Sequence, residues 1–278
     1  MALALERKAG APGMNELERF AAGVDFGNTA ADYARHRAGF PTSFFGRLRE
    51  RGIGVAGQAV VDLGAGTGAL GRGFALAGGR VTGIDIAASM LEQARALDRA
   101  AGVTSDYRVG RAEATGLPAA SVDVVAAGQC WHWFDRRRAA AEAFRLLRAG
   151  GHLLIAHFDW LPLPGNVVAA TEALVLRHNP AWPYAGGHGL YGRWFADISL
   201  AGFVGLESFS YDETAPYTHE AWRGRMRASA PIAASLPPDR VAAFDAELAG
   251  MLARDFPGPM LAVPHRAFAL MARKDAGR

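Results

Sequence analysis

Residues 59–85 read AVVDLGAGTGALGRGFALAGGRVTGID, and this stretch restricts the fold more than any other. An apolar run (Ala59 to Val61) leads to an acid (Asp62) and a glycine turn (Gly64, Gly66, Gly68). An apolar, helix-like segment and a second apolar run (Val81 to Ile84) then close on Asp85. The order is strand, loop, helix, strand, which predicts a βαβ unit of the nucleotide-binding kind. Glycines suit such a turn because the chain bends sharply at the carboxyl end of a strand while its backbone approaches a ligand closer than a Cβ permits. Asp85 falls at the tip of the neighbouring strand, where a carboxylate can accept both hydroxyls of an adenosine ribose.

Gly66, Gly68 and Gly71 also spell G-x-G-x-x-G, the dinucleotide fingerprint, which alone is weak evidence. In that version the first glycine directly follows the strand and the turn feeds a pyrophosphate onto a helix N-terminus. Here Asp62 and Leu63 intervene, and a carboxylate at a phosphate site repels it. An acid suits a ligand with an ammonium and a sulfonium. DLGAGTG, followed by GIDIAASML, resembles the cofactor-binding core of class I S-adenosylmethionine-dependent methyltransferases, and the resemblance covers roughly Tyr33 to Ile155. It implies an α/β fold: a Rossmann-like seven-stranded methyltransferase sheet with helices on both faces, an antiparallel C-terminal hairpin and a helical or loop cap. It also implies S-adenosyl-L-methionine as cofactor, with Asp62, Gly64, Ala65, Gly66, Gly68 and Asp85 at its site.

The remaining site residues follow along the chain. Tyr33 and Arg37 stand at i and i+4, so both project from one helix face. The resemblance implies that they close over the methionine carboxylate, for which a guanidinium fork is suited; the alternative is a core tyrosine and a surface arginine. His36 between them is expected to face solvent. Ile86 and Met90 offer an apolar and a thioether face for adenine, with ordinary core packing the alternative for Met90. Ala112 and Glu113 stand where the family carries a small acid-containing motif beside the adenine, although Arg111 replaces the aspartate often found there. Backbone contact by Ala112 or acceptance of the adenine amino group by Glu113 is compatible with that departure.

A fourth strand, Ser121 to Ala127, ends in GQCWHWFD (Gly128 to Asp135), at the sheet edge where α/β proteins hold ligands. Gln129 is therefore a cofactor candidate, and Trp131, His132 and Trp133 fall at the reaction pocket. The aromatic-rich sequence resembles the trans-aconitate methyltransferase-like and ubiquinone/menaquinone methyltransferase-like branches. His132 is the first candidate for a general base and His157 the second; a hydrogen-bonded wall residue is the alternative for His132. With AGGHLLIAH (Ala149 to His157) as the fifth strand, the parallel part of the sheet is complete.

From Phe158 the composition changes to tryptophan, tyrosine, proline and glycine in irregular connections. Long connections of this kind are usually functional, and the aromatic density disfavours disorder. The expected organisation is a disordered leader (1–13), N-terminal helices and cofactor core (14–157), a lid (158–202), and C-terminal strands (203–278) carrying a helical cap (217–258). The late strands are expected at Val204 to Tyr211 and Arg266 to Arg273. Trp131, Trp133, Trp160, Trp182, Tyr184, Tyr191 and Trp194 are candidates to shape an acceptor pocket.

Composition narrows the function class. Lys+Arg 30 against Asp+Glu 27 leaves +3, without the clustered cations of a nucleic-acid stripe. One cysteine, Cys130, excludes an intrachain disulfide framework. No apolar run reaches membrane-spanning length, and the N-terminus lacks the apolar core of a signal peptide. The expectation is a cytoplasmic monomer or homodimer acting on a small molecule, with no metal, nucleic acid or membrane partner. The activity that the resemblance implies is methyl transfer to oxygen, nitrogen or carbon of such an acceptor, as in secondary metabolism. Two alternatives remain: a methyltransferase-like protein that binds the cofactor with another or no activity, and an NAD(P)-dependent oxidoreductase.

Overall fold

The computed structural model describes residues 23–25, 29–275 and 277, so the expected leader lies outside the described residues. Two short helices, α1 (Ala30–His36) and α2 (Thr42–Arg49), precede the sheet, Pro41 standing immediately before α2. The βαβ unit follows as β1 (Ala59–Leu63), α3 (Ala69–Leu76) and β2 (Arg80–Asp85). Then come α4 (Ala88–Ala100), β3 (Asp106–Val109), β4 (Val122–Gly128), a 3-10 turn (Trp131–Trp133), α5 (Arg136–Leu146) and β5 (Leu147–Trp160). The last third supplies α6 (Val167–His178), α7 (Arg193–Leu200), β6 (Val204–Tyr217), α8 (His219–Arg227), α9 (Pro238–Asp255) and β7 (Leu261–Arg273).

The strands form one seven-stranded sheet in the order β3-β2-β1-β4-β5-β7-β6. The first five run parallel, whereas β7 is antiparallel to both β5 and β6. Parallel strands covered on both faces read as continuous apolar runs, which is why β1 and β4 carry little polar alternation. On one face Ala143, Leu146 and Ile198 of α5 and α7 pack on Val61, Val125 and Leu153. On the other, Phe44, Leu48 and Phe74 of α2 and α3 pack on Val60, Val124 and Leu154. Each buried side chain of this size contributes roughly 1.5–3 kcal/mol. This is a Rossmann-like seven-stranded sheet with an antiparallel hairpin, as the resemblance implies.

Strand order reverses between β1 and β4, and at such a switch point a crevice opens beyond the strand ends. Both the glycine corner after β1 and the Gly128 to Cys130 turn after β4 face it.

The late strands run longer than the sequence pattern suggests. Residues 212–216 (DETAP) pair in full with Arg266 to Ala262, but one face of this hairpin is exposed, so the segment carries no apolar alternation to mark it as strand. The projecting end, Tyr217, Leu261 and Val263, packs with Val168, Trp222 and Phe244 of α6, α8 and α9 in a third core. That core lies over the carboxyl edge of the sheet beside the switch point. Among the described residues, no helix is long and apolar enough to cross a membrane.

Candidate functional site

The corner after β1 is shaped by positive backbone angles. Gly64, Gly66 and Gly68 have φ of 65°, 53° and 75°. A Cβ on Gly64 would meet Cys130 Sγ at 2.8 Å and Phe134 Cζ at 2.9 Å, and one on Gly68 would meet the Tyr107 hydroxyl at 2.3 Å. Glycine is therefore required at both positions by conformation and by space. Ala65, buried, donates its N–H to the Ile84 carbonyl at 3.0 Å, tying the corner to the tip of β2.

Two carboxyls hold this corner from different sides. Asp85 accepts from Gly66 N at 2.8 Å and from Ala87 N at 2.9 Å, and burial raises its pKa against those hydrogen bonds. Asp62 lies behind the loop, 1% exposed, and accepts from Gly71 N at 2.9 Å while its Oδ1 has no partner among the described residues. Burial pushes its pKa up to about 7, with Asp85 and Asp98 adding to the shift. The Gly71 N–H belongs to the first turn of α3, whose free N–H groups are what a pyrophosphate would need. Asp62 already occupies it, which makes the corner a poor phosphate site.

A cavity of about 570 Å³ opens beside the corner, and Gly64, Met90 and Cys130 are among its walls. Met90 brings its thioether to the loop, since a Cβ on Gly66 would lie 3.4 Å from Met90 Cε. Tyr33 and Arg37 also line it, but Arg37 stands in extended backbone just past the end of α1. Its guanidinium nevertheless lies 4.6 Å from the Tyr33 ring and donates to Gln129 Oε1 at 2.6 Å. Gln129, at φ 66°, donates its side-chain NH2 to the Phe158 carbonyl at 2.6 Å. His36 packs inward against Gly224 with a side chain 10% exposed, so the expected solvent-facing position is corrected.

Of the residues expected at the adenine, Met90 lines this cavity, whereas Ile86, Ala112 and Glu113 lie outside it. Ile86 is 70% exposed, Ala112 is buried in the core beside β4, and Glu113 accepts from Asp135 N at 3.0 Å. Of the seven aromatics expected at the acceptor pocket, Trp133, Trp160, Trp182, Tyr184, Tyr191 and Trp194 do line it. Trp131 does not. In the 3-10 turn successive side chains diverge by about 120°, and Trp131 enters the core against Phe134, 0% exposed, while His132 and Trp133 face the cavity.

His157 and His132 come together, ring centroids 5.5 Å apart. His157 is 1% exposed, its Nδ1 lies 3.1 Å from Asp159 Oδ2, and its Nε2 has no partner among the described residues. Tyr191 donates its hydroxyl to the same Asp159 oxygen at 2.5 Å and stacks on Trp194 at 3.9 Å. Burial opposes ionisation of Asp159, yet His157, Tyr191 and Arg37 together hold its carboxyl well below the usual range. His132 is different: burial, aided by His157, drives its pKa down to about 3, and its Nδ1 has no hydrogen-bond partner among the described residues. Asp159 was not among the residues singled out from sequence. Its signal was present, since His-x-Asp on a strand puts both side chains on one face. Arg225 on α8 and Glu172 on α6, also cavity residues, carry no comparable signal.

A seven-stranded sheet of this order, with a glycine corner after its first strand and an acid at the tip of its second, defines a Rossmann-like α/β protein. Residues 61–155 match the family model described as a methyltransferase domain. An uncharacterized methyltransferase of Mycobacterium tuberculosis is 36% identical over 130 residues, covering 47% of this chain and 50% of the relative. The malonyl-[acyl-carrier protein] O-methyltransferase of Yersinia pestis is 36% identical over 111 residues, 40% of each chain. The solved structure of the YcgJ protein from Bacillus subtilis matches with a TM-score of 0.54 at 20% identity, covering 84% of this chain and 99% of that one, and speaks to the fold alone. Residues 61–155 are thus similar to methyltransferase domains, and the chain spans about half the length of the first of these curated relatives.

Proposed function

We propose that this protein methylates an oxygen of a small, flat, largely apolar acceptor held beneath the 158–202 segment, with S-adenosylmethionine as donor. One observation carries the reading: a single cavity is lined both by Gly64 of the glycine corner, with Met90 of α4 beside it, and by the His157 and Asp159 pair. Gly64 to Gly68, Asp85, Tyr33 and Arg37 are the groups suited to hold the donor. When bound, it supplies a methyl group already activated on a sulfonium, so the protein's tasks are alignment and exclusion of water.

His157 is the base in this reading. With Nδ1–H donated to Asp159, its Nε2 keeps a lone pair for the acceptor proton, and Asp159 stabilises the imidazolium that forms. The Tyr191 hydroxyl fixes Asp159, and the stacked Tyr191 and Trp194 rings fix the imidazole. His132, neutral throughout the physiological range, serves as a wall and not as the base. The lone cysteine, buried and donating to the Leu63 carbonyl, supports a reducing, cytoplasmic setting.

The test is incubation with S-adenosylmethionine and a panel of phenols and carboxylic acids, followed by mass spectrometry. Formation of S-adenosylhomocysteine together with an acceptor heavier by one CH2 is expected. Tight binding of S-adenosylhomocysteine with no turnover on any acceptor would leave the chain as a cofactor-binding protein of another activity.

A further inference from the structure

Methyl transfer does not account for one charged group on the cavity wall. Arg225 of α8 is 7% exposed, makes no ion pair among the described residues, and its Nη1 is buried without a hydrogen-bond partner. Its guanidinium lies 4.5 Å from the centroid of the Trp160 ring. Burial, with Arg37 nearby, lowers its pKa to about 10, which still leaves the group charged at neutral pH. A buried charge without a counter-charge is a heavy liability for a fold.

Counter-charges within the cavity are already engaged. Asp159 is held by His157 and Tyr191, while Glu172 accepts from Trp160 Nε1 and from Gly186 N, both at 2.8 Å. The neighbouring arginines of α8 are satisfied, for Arg223 and Arg227 both pair with Asp245. Of the arginines on this helix, only Arg225 lines the cavity, and among the described residues no carboxylate pairs with it.

We propose that Arg225 binds a carboxylate of the acceptor, which makes the acceptor a small monoanionic acid with a flat apolar body. The assignment rests on the methyl-transfer reading for the word acceptor, but the anion site stands on Arg225 itself. A single unpaired guanidinium matches one carboxylate bidentately. A dianionic phosphate fits less well, because Asp159 and Glu172 line the same cavity and would repel the second charge. The aromatic walls accept the apolar body, and Trp160 beneath the guanidinium keeps it flat and preorganised.

The experiment is calorimetric titration of the full chain, with S-adenosylhomocysteine present, by benzoate and trans-cinnamate, by the corresponding neutral amides, and by phenyl phosphate. At least one acid is expected to bind tenfold or more tightly than its amide and more tightly than phenyl phosphate. In Arg225→Met the preference for acid over amide should vanish while S-adenosylhomocysteine affinity stays the same, and the melting temperature without ligand should rise because an unpaired buried charge is gone. Amides binding as well as acids, phosphate binding tighter than either, no acid binding at all, or a lowered melting temperature in Arg225→Met would each overturn the proposal. Absence of S-adenosylhomocysteine binding would instead strike the methyl-transfer reading, and the acid and amide titrations run without it would still decide the role of Arg225.

Discussion

The glycine corner and the aromatic cavity adjoin each other, yet they are built by different means. At the corner the main chain does the shaping: three positive φ angles, a glycine whose Cβ would strike Cys130, and carboxyls that grip backbone N–H groups. In the cavity the shaping is done by side chains from β5, the 161–192 connection, α7 and α8, held by ring stacking and by buried hydrogen bonds. Main-chain sites tolerate little change and favour one ligand, whereas side-chain walls can be rebuilt without disturbing the sheet. The difference suits a protein in which one ligand is fixed and the other sets specificity.

The contrast predicts that the corner fails structurally and the cavity fails chemically. Gly64→Ala forces a left-handed non-glycine residue, at about 1–2 kcal/mol, and a clash with Cys130 and Phe134, at about 1–3 kcal/mol. A stability loss of about 2–5 kcal/mol is expected in denaturant unfolding, together with loss of cofactor affinity. A variant as stable as the parent would show that the corner is not held as described.

Asp62 sharpens the point through pH. Its folded pKa, raised to about 7, means that the folded state keeps a proton the unfolded state releases near pH 4. Stability contributed by this group is therefore fullest below pH 4 and is lost as pH rises toward 7. Asp62→Asn keeps an acceptor for Gly71 N and removes the titration. Relative to the parent, the variant should gain stability from pH 4 to pH 7, on the order of a few kcal/mol, measured by unfolding at each pH. A difference that does not change with pH would refute the assignment.

In the cavity, Asp159→Asn should lower turnover by about a hundredfold with S-adenosylhomocysteine affinity unchanged, since the imidazole loses the group that orients and charges it. Equal losses in both quantities would put Asp159 in folding and not in chemistry. The smallest effect is expected from His132→Phe, within about threefold in turnover. A much larger loss would return the base to His132.

The same contrast explains what could be read in advance. The β1 to β2 unit, the acid at 85 and the glycine spacing carry their structural reason in local sequence, because a tight turn needs glycine wherever it occurs. The aromatic lining was legible as a group but not residue by residue. Trp131 and Trp133 are two positions apart in an identical context, and only the turn between them decides that one enters the core. Arg225 gave no signal because its neighbours in space, Trp160 and Arg37, are distant in the chain. The expected strand end at Tyr211 falls short of the observed Tyr217 because an exposed hairpin buries little, leaving no apolar alternation to follow.

The most direct test of the account is calorimetric titration of the intact protein with S-adenosylhomocysteine and, separately, with NAD and NADP. Saturable binding of S-adenosylhomocysteine is expected, weakened at least tenfold in Asp85→Ala because a carboxylate hydrogen bond is worth about 1.5–3 kcal/mol, with no binding of either dinucleotide. Binding of a dinucleotide in place of S-adenosylhomocysteine, or unchanged affinity in Asp85→Ala, would contradict it.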